Sequence, residues 1–188
     1  MNHELEVHHI PQSKVQVVAS GPDVPSDTFY DALLTAIYRC EKNIFIATPY
    51  FIPDDSLSKA LILALHRGVE VNILIPKKSD HSLLDLARES HLRQIENAGG
   101  RIFFYPKMMH AKLTLLDQKI AIIGSANMDI RSLLFNYELN LFLYSHKDIE
   151  EFYRWWKKLK EQSTEGIQKK SYLALLFEGV GRILSPLL

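Results

Sequence analysis

The chain has a single cysteine, no excess of either charge and no long apolar run, and each lack excludes something. Cys40 stands alone among 188 residues. An internal disulfide framework is therefore excluded, and its place in an apolar helical pattern reads as a small buried hydrophobe suited to a reducing compartment. The 22 Lys plus Arg balance 22 Asp plus Glu. No whole-protein field draws the molecule to nucleic acid or acidic membranes, so any phosphate chemistry must rest on a local cluster. No stretch reaches the roughly 18 uninterrupted apolar residues of a spanning helix. The ending "YLALLFEGVGRILSPLL" comes nearest, and Glu178 and Arg182 break it. No basic-then-apolar leader opens the chain, so a secretory signal is not expected. Internal repeats, low-complexity segments and zinc-like ligand spacing are also missing, and no metal or cofactor is expected.

What is there fits one compact domain. Residues 1–14 read as a flexible start, despite the histidines of "MNHELEVHHI", rather than as a metal site. "VQVVAS" has the β-branched richness of a strand, and the turn "GPDVPS" leads into a helix near Ser26 that runs through "DTFYDALLTAIYRCEK". The strand "NIFIAT", the proline-bounded loop "TPYFIPDD", the helix "SLSKALILALHRG" and the buried strand "VEVNILIP" follow. A further helix, capped by Ser79 or Asp80 and stopped by a double glycine, precedes the strand "RIFFYP". Then come strand after strand: "HAKLTLLD", a turn at "DQK", "KIAIIGS" and "YELNLFLYS". The aromatic and basic helix "KDIEEFYRWWKKLKEQ" closes a domain over residues 15–163. It reads as a membrane-interface helix, a nucleic-acid strip or a helix with one face packed and one solvated, the last being the default. Residues 164–188 read as a polar linker and an apolar amphipathic tail, docked on the core, a partner or lipid. This order predicts an α/β fold, an α-β-α sandwich whose mixed sheet carries helices on both faces.

The chemistry concentrates between Met108 and Glu138. On a strand, His110 and Lys112 in "HAKLTLLD" share a face, while Asp117 has the opposite parity near the turn. Ser125 and Asn127 in "GSAN" are likewise two apart, and Gly124 there lets backbone approach a ligand. Glu138 is a carboxylate between apolar neighbours, costly to bury unless something binds it. Histidine titrates near neutral pH, so it can serve as nucleophile or proton donor, with a carboxylate such as Glu138 fixing its tautomer. Lys112, Ser125 and Asn127 would stabilise the charge that builds on phosphate oxygens in a five-coordinate transition state. The pattern H-x-K-x-x-x-x-D alone arises by chance in about one chain in a hundred of this length. With "GSAN" after the next strand and an acid in the one beyond, coincidence becomes remote.

These residues resemble the phospholipase D superfamily, whose signature is H-x-K-x-x-x-x-D followed by G-S-x-N. "VQVVASGPD", "TPYFIPDDSL", "RGVEVNILIPKKSDH", "AGGRIFFY", "NYELNLFLY" and "ILSPLL" are similar to the second half of bacterial cardiolipin synthases. The resemblance implies transfer of a phosphatidyl group between phosphatidylglycerol molecules through a phosphohistidine. It makes His110 and Lys112 active-site residues, Ser125 and Asn127 phosphate-binding, Glu138 the orienter of His110, and Asp117 a signature residue with a structural, ion-pairing role. Tyr50 and Phe51 either line the lipid or glycerol pocket or pack on a sheet edge. His81 either reaches that pocket or belongs to a helix cap, and Arg131 and Ser132 steady the catalytic loop or, for Arg131, make a surface ion pair.

Members of the superfamily use two such signatures, and this chain has one. A second signature from another domain or a homodimer is therefore expected, with His110 as the acid. Three readings follow: a phosphatidyltransferase domain, a homodimeric phosphodiesterase or nuclease, or a non-catalytic lipid- or partner-binding half-domain. The balanced charge counts against the nuclease, because Lys and Arg contacts to phosphate dominate nucleic-acid affinity. The expected partners are phospholipid and a membrane surface, met at the cytoplasmic face of a bacterial membrane.

Overall fold

A computed structural model describes residues 13–24 and 27–167. The expected flexible start up to residue 12, the helix start at Ser26 and the apolar tail from Tyr172 lie outside the described residues. The chain runs β1 (Val15–Ser20), α1 (Thr28–Arg39), β2 (Asn43–Ala47), β3 (Phe51–Ile52), α2 (Asp55–His66), β4 (Glu70–Pro76), α3 (Ser82–Asn97) and β5 (Arg101–Tyr105). It continues through β6 (Leu113–Leu116), β7 (Ile120–Gly124), β8 (Met128–Asp129), α4 (Ile130–Leu134), β9 (Glu138–Leu143), α5 (His146–Glu161) and β10 (Thr164–Glu165).

The main sheet has eight strands in the order β1-β9-β7-β6-β2-β4-β5-β10. β2, β4 and β5 are parallel neighbours joined by α2 and α3, as parallel pairing requires a crossover. The other pairs are antiparallel, including the β6-β7 hairpin. Alternation along each strand sends side chains to two cores. Ile44, Ile46, Ile73, Ile75, Ile122 and Phe142 join the core that includes α1, α2 and α3 residues. Phe45, Ala47, Leu74, Phe103, Leu115 and Ala121 meet Ile149 and Trp156 of α5. The Trp156 indole donates to the Ile46 carbonyl at 3.2 Å, so the buried N–H is satisfied. The α-β-α sandwich expected from the alternation of elements is the fold observed.

Local expectations fail where a distant partner decides. The "TPYFIPDD" loop contains β3, which pairs in parallel with β8 as a small second sheet. The "STEG" linker contains β10, added antiparallel to β5. Helix α1 stops at Arg39 rather than running to Lys42, with Cys40 in extended backbone. The Asp117 carboxylate gathers the amides of Glu41, Lys42 and Asn43, pulling them from a helical path. Neither Ser79 nor Asp80 caps α3: His81 takes the N-cap position without a side-chain cap bond. Ser79 instead exchanges hydrogen bonds with the His81 backbone. The strand predicted from His110 begins at Leu113, so His110 and Lys112 sit on the segment leading into β6.

Candidate active site

The site lies where the segment before β6, the β7-β8 connection and the loop after β2 converge. His110 is exposed and Lys112 half-buried. The Lys112 amine reaches the His110 ring, 3.2 Å from Nδ1 and 3.3 Å from Nε2, and donates to the His110 carbonyl at 3.2 Å. The pair predicted from strand parity therefore meets, although no strand holds it. Burial pulls the Lys112 ammonium below its ordinary range, while the charges of Glu138, Asp129 and Asp80 work the other way.

"GSAN" is held by β9. Ser125 Oγ accepts from the Leu139 amide at 2.9 Å, and Asn140 Oδ1 accepts from the Ala126 amide at 3.4 Å. Asn127 donates through Nδ2 to Ser132 Oγ at 3.3 Å, leaving its buried Oδ1 without a partner. Ser132 is itself fixed by Asp129, which caps α4. Gly124 lines the groove beside His110 and Lys112, and β9 also requires its lack of a side chain. A Cβ there would stand 2.3 Å from Asn140 Oδ1 and 2.4 Å from the Leu139 carbonyl. The close backbone approach is to β9.

Other expected site residues separate. Glu138 is half-buried at the start of β9, and its Oε1 accepts from the Asn136 side-chain Nδ2 at 3.4 Å rather than from a His110 nitrogen. Asp117 sits in the β6-β7 turn, at φ 53, beyond the four residues of β6. It accepts from the amides of Glu41, Lys42 and Asn43 and from the Cys40 thiol. These are neutral donors, where an ion pair was expected. Burial acts to raise its carboxyl, but the Cys40 thiol and the amides outweigh that and bring it down to about 2. Phe51 is 0% exposed, its ring packed in the α1-α2-α3 core.

Tyr50 does face the site. Its ring lies edge-on to His110, with centroids 6.4 Å apart and planes at 83°, and tilted against His81 at 5.9 Å. Its hydroxyl donates to Asp80. Burial, then the bond to Asp80 and its charge, push the phenol up to about 12. Asp80, Asp129 and Asn140 are site residues that sequence reasoning missed. Asn140 could have been found as an amide within the apolar run "NLFL", whereas Asp80 looked like ordinary capping chemistry.

Two cavities are lined by site residues, one of them by the pair itself. One of about 840 Å³ is lined by His110, Lys112 and Gly124 with Leu139, Leu141 and Trp155. The other, about 250 Å³, is lined by Tyr50, His81, Asn127, Asp129 and Ser132 among others. Among the described residues no group of three or more His, Cys, Asp or Glu is placed to hold a metal ion. No described helix is long and apolar enough to cross a membrane.

Fold and site together are those of a phospholipase D-like domain. The family model described as "Cardiolipin synthase, PLD-like domain" matches residues 33–160, and the chain belongs to that family. It is 37% identical over 178 residues to a cardiolipin synthase of Clostridium perfringens, covering 92% of this chain and 37% of the relative. To cardiolipin synthase 1 of Bacillus cereus it is 40% identical over 182 residues, covering 94% and 36%. The chain thus spans little more than a third of these relatives. In fold it is similar to phosphatidylserine synthase of Haemophilus influenzae, with TM-score 0.72, 14% identity, and coverage of 96% of this chain and 47% of that one. It is also similar to Nuc, a phospholipase D family member of Salmonella typhimurium, with TM-score 0.69, 22% identity, and coverage of 84% and 100%.

Proposed function

We propose that the chain is a phosphatidyl-transfer half-domain of the cardiolipin synthase type, completed by a second histidine from another half. The observation that carries this reading is the Lys112 amine held against both nitrogens of an exposed His110 at the mouth of an open groove. In the reaction, the other half's histidine attacks the phosphorus of phosphatidylglycerol. The bond from phosphorus to the glycerol oxygen breaks, and His110 supplies the proton that leaves with glycerol. His110 then takes the proton of a second phosphatidylglycerol hydroxyl, whose oxygen attacks phosphorus and frees the first histidine. Lys112, together with Ser125 and Asn127, stabilises the non-bridging oxygens. The work is done on phospholipid at the cytoplasmic face of a bacterial membrane.

A missing half is supported by an exposed apolar strip beside His110. Val17 is 62% and Leu139 54% exposed, and the β1-β9 register puts Val17 opposite Leu141. The extra length of the relatives is ample for a second such unit. A second reading, a phosphodiesterase that pairs two copies of this chain, is favoured by the full-length coverage of Nuc. Light scattering with phosphodiesterase and phosphatidyl-transfer assays on the same fractions tests both. An active dimer favours pairing of two copies. An inactive monomer that becomes active when joined to a complementary half favours the first reading, and an inactive mixture with that half overturns it.

A further inference from the structure

Glu138 was the carboxylate expected to orient His110, yet it is bonded to Asn136. What the His110 ring packs on is Tyr50, edge-on, at 6.4 Å and 83°. The geometry points to Tyr50 and Asp80 as a positioning pair for His110: Asp80 anchors the phenol, and the anchored ring fixes the imidazole plane.

Both members are themselves fixed by backbone. Thr48 Oγ1 donates to the Tyr50 carbonyl at 2.9 Å, and β3, which begins at the next residue, is tied to β8. The Met128 amide in β8 donates back to Thr48 at 3.4 Å. The Tyr50 backbone is therefore clamped to the strand that follows "GSAN". Asp80 precedes α3 in a turn closed by the reciprocal Ser79 and His81 bonds and by the Ser79 amide on Asp85. One side of the ring is filled by His81, 5.9 Å away. A phenol held protonated near neutral pH is a permanent donor to Asp80, so the anchor persists while His110 changes protonation state. An edge-to-face contact limits ring rotation without occupying either imidazole nitrogen, leaving both for Lys112 and substrate.

This role rests on the proposed reaction, so its test has one readout that needs no turnover. The His110 imidazole resonances are recorded in the full chain and in Tyr50→Leu, Tyr50→Phe and Asp80→Asn. Loss of the neighbouring ring is expected to move the His110 signals strongly in Tyr50→Leu. Loss of the anchor should move them in the same sense, by less, in Tyr50→Phe and Asp80→Asn. Unmoved His110 signals in a folded Tyr50→Leu overturn the pair whether or not the chain is active. On an active assembly, with bis(4-nitrophenyl) phosphate as probe, kcat should fall about tenfold in Asp80→Asn with KM unchanged, since small misplacements of a reacting group cost up to about a hundredfold. Asp80→Glu should recover part of the loss, and the double variant Tyr50→Phe with Asp80→Asn should be no worse than the worse single variant. A raised KM with unchanged kcat would instead make Tyr50 a substrate contact. An inactive wild-type assembly would count against the proposed reaction and leave the imidazole spectrum to decide the positioning role.

Discussion

The Lys112 amine sits 3.2 Å from His110 Nδ1 and 3.3 Å from Nε2, so the lysine reaches across the imidazole rather than binding one nitrogen. A phosphodiester oxygen arriving between them would meet a cation and a proton donor together. His110→Ala is expected to lower turnover by about 100-fold or more, the typical worth of positioned acid-base catalysis. Lys112→Met should cost a similar factor of about 100, as when one donor to a developing oxyanion is removed. Steady-state kinetics on a phosphodiester substrate checks both; an unchanged rate in folded His110→Ala would remove His110 from the reaction.

Gly124 is pressed against β9, and its effect should pass through the loop it carries. In Gly124→Ala the new methyl would lie 2.3 Å from Asn140 Oδ1 and 2.4 Å from the Leu139 carbonyl. Both contacts are too short to persist, so β9 must shift there, and overpacking of this kind costs about 1–3 kcal/mol. Asn140 also holds the Ala126 amide, so the shift reaches Ser125 and Asn127. A denaturant midpoint at the wild-type value would show that β9 yields without strain.

Asp117 links the hairpin turn to the α1-β2 connection through three amides and a thiol, and its loss should appear as stability. Asp117→Asn keeps an acceptor but forfeits the charge, and a cost of about 1–3 kcal/mol is expected for hydrogen bonds of this kind. The folded carboxyl lies at about 2, below its ordinary value of 3.8. The stabilisation it supplies is thus fully present above about pH 4 and fades as pH falls toward 2. Urea melts of both proteins across that window should converge at the acid end. A constant difference would assign the effect to geometry rather than charge.

How far the sequence carried depends on whether a residue's partner is near in the chain. Apolar periodicity located α1, α2, α3, α5 and seven strands of the main sheet, because burial on one face imposes it residue by residue. β3 and β10 escaped because their partners are Met128–Asp129 and Phe103–Phe104, many residues away, and two-residue strands have no period. The signature spacing brought His110 to Lys112 correctly, although a flexible lysine achieves the contact without the strand that parity assumed. Phe51 and Tyr50 are neighbours in an aromatic loop, and only the β3 pairing decides that one enters the core while the other faces His110. Asp80 was invisible as a site residue because a carboxylate before a helix already has an ordinary explanation in capping.

The apolar strip beside the groove should govern assembly. Leu139 is 54% exposed and lines the same groove as His110 and Lys112, yet its side chain touches no reacting atom in the proposed chemistry. Exposed apolar surface beside a half-complete site is what a second half would cover, and a carboxylate introduced there would be desolvated on docking, at a cost of several kcal/mol. Leu139→Glu is therefore expected to leave the fold intact, since its side chain already faces solvent. It should weaken association with the complementary half or second copy by about 100-fold or more, corresponding to roughly 2.7 kcal/mol. Activity should fall with it at low protein concentration and return as concentration rises. Sedimentation and turnover measured over the same dilution series check this. Activity lost without any change in association would make the strip a wall of the substrate groove instead of an interface.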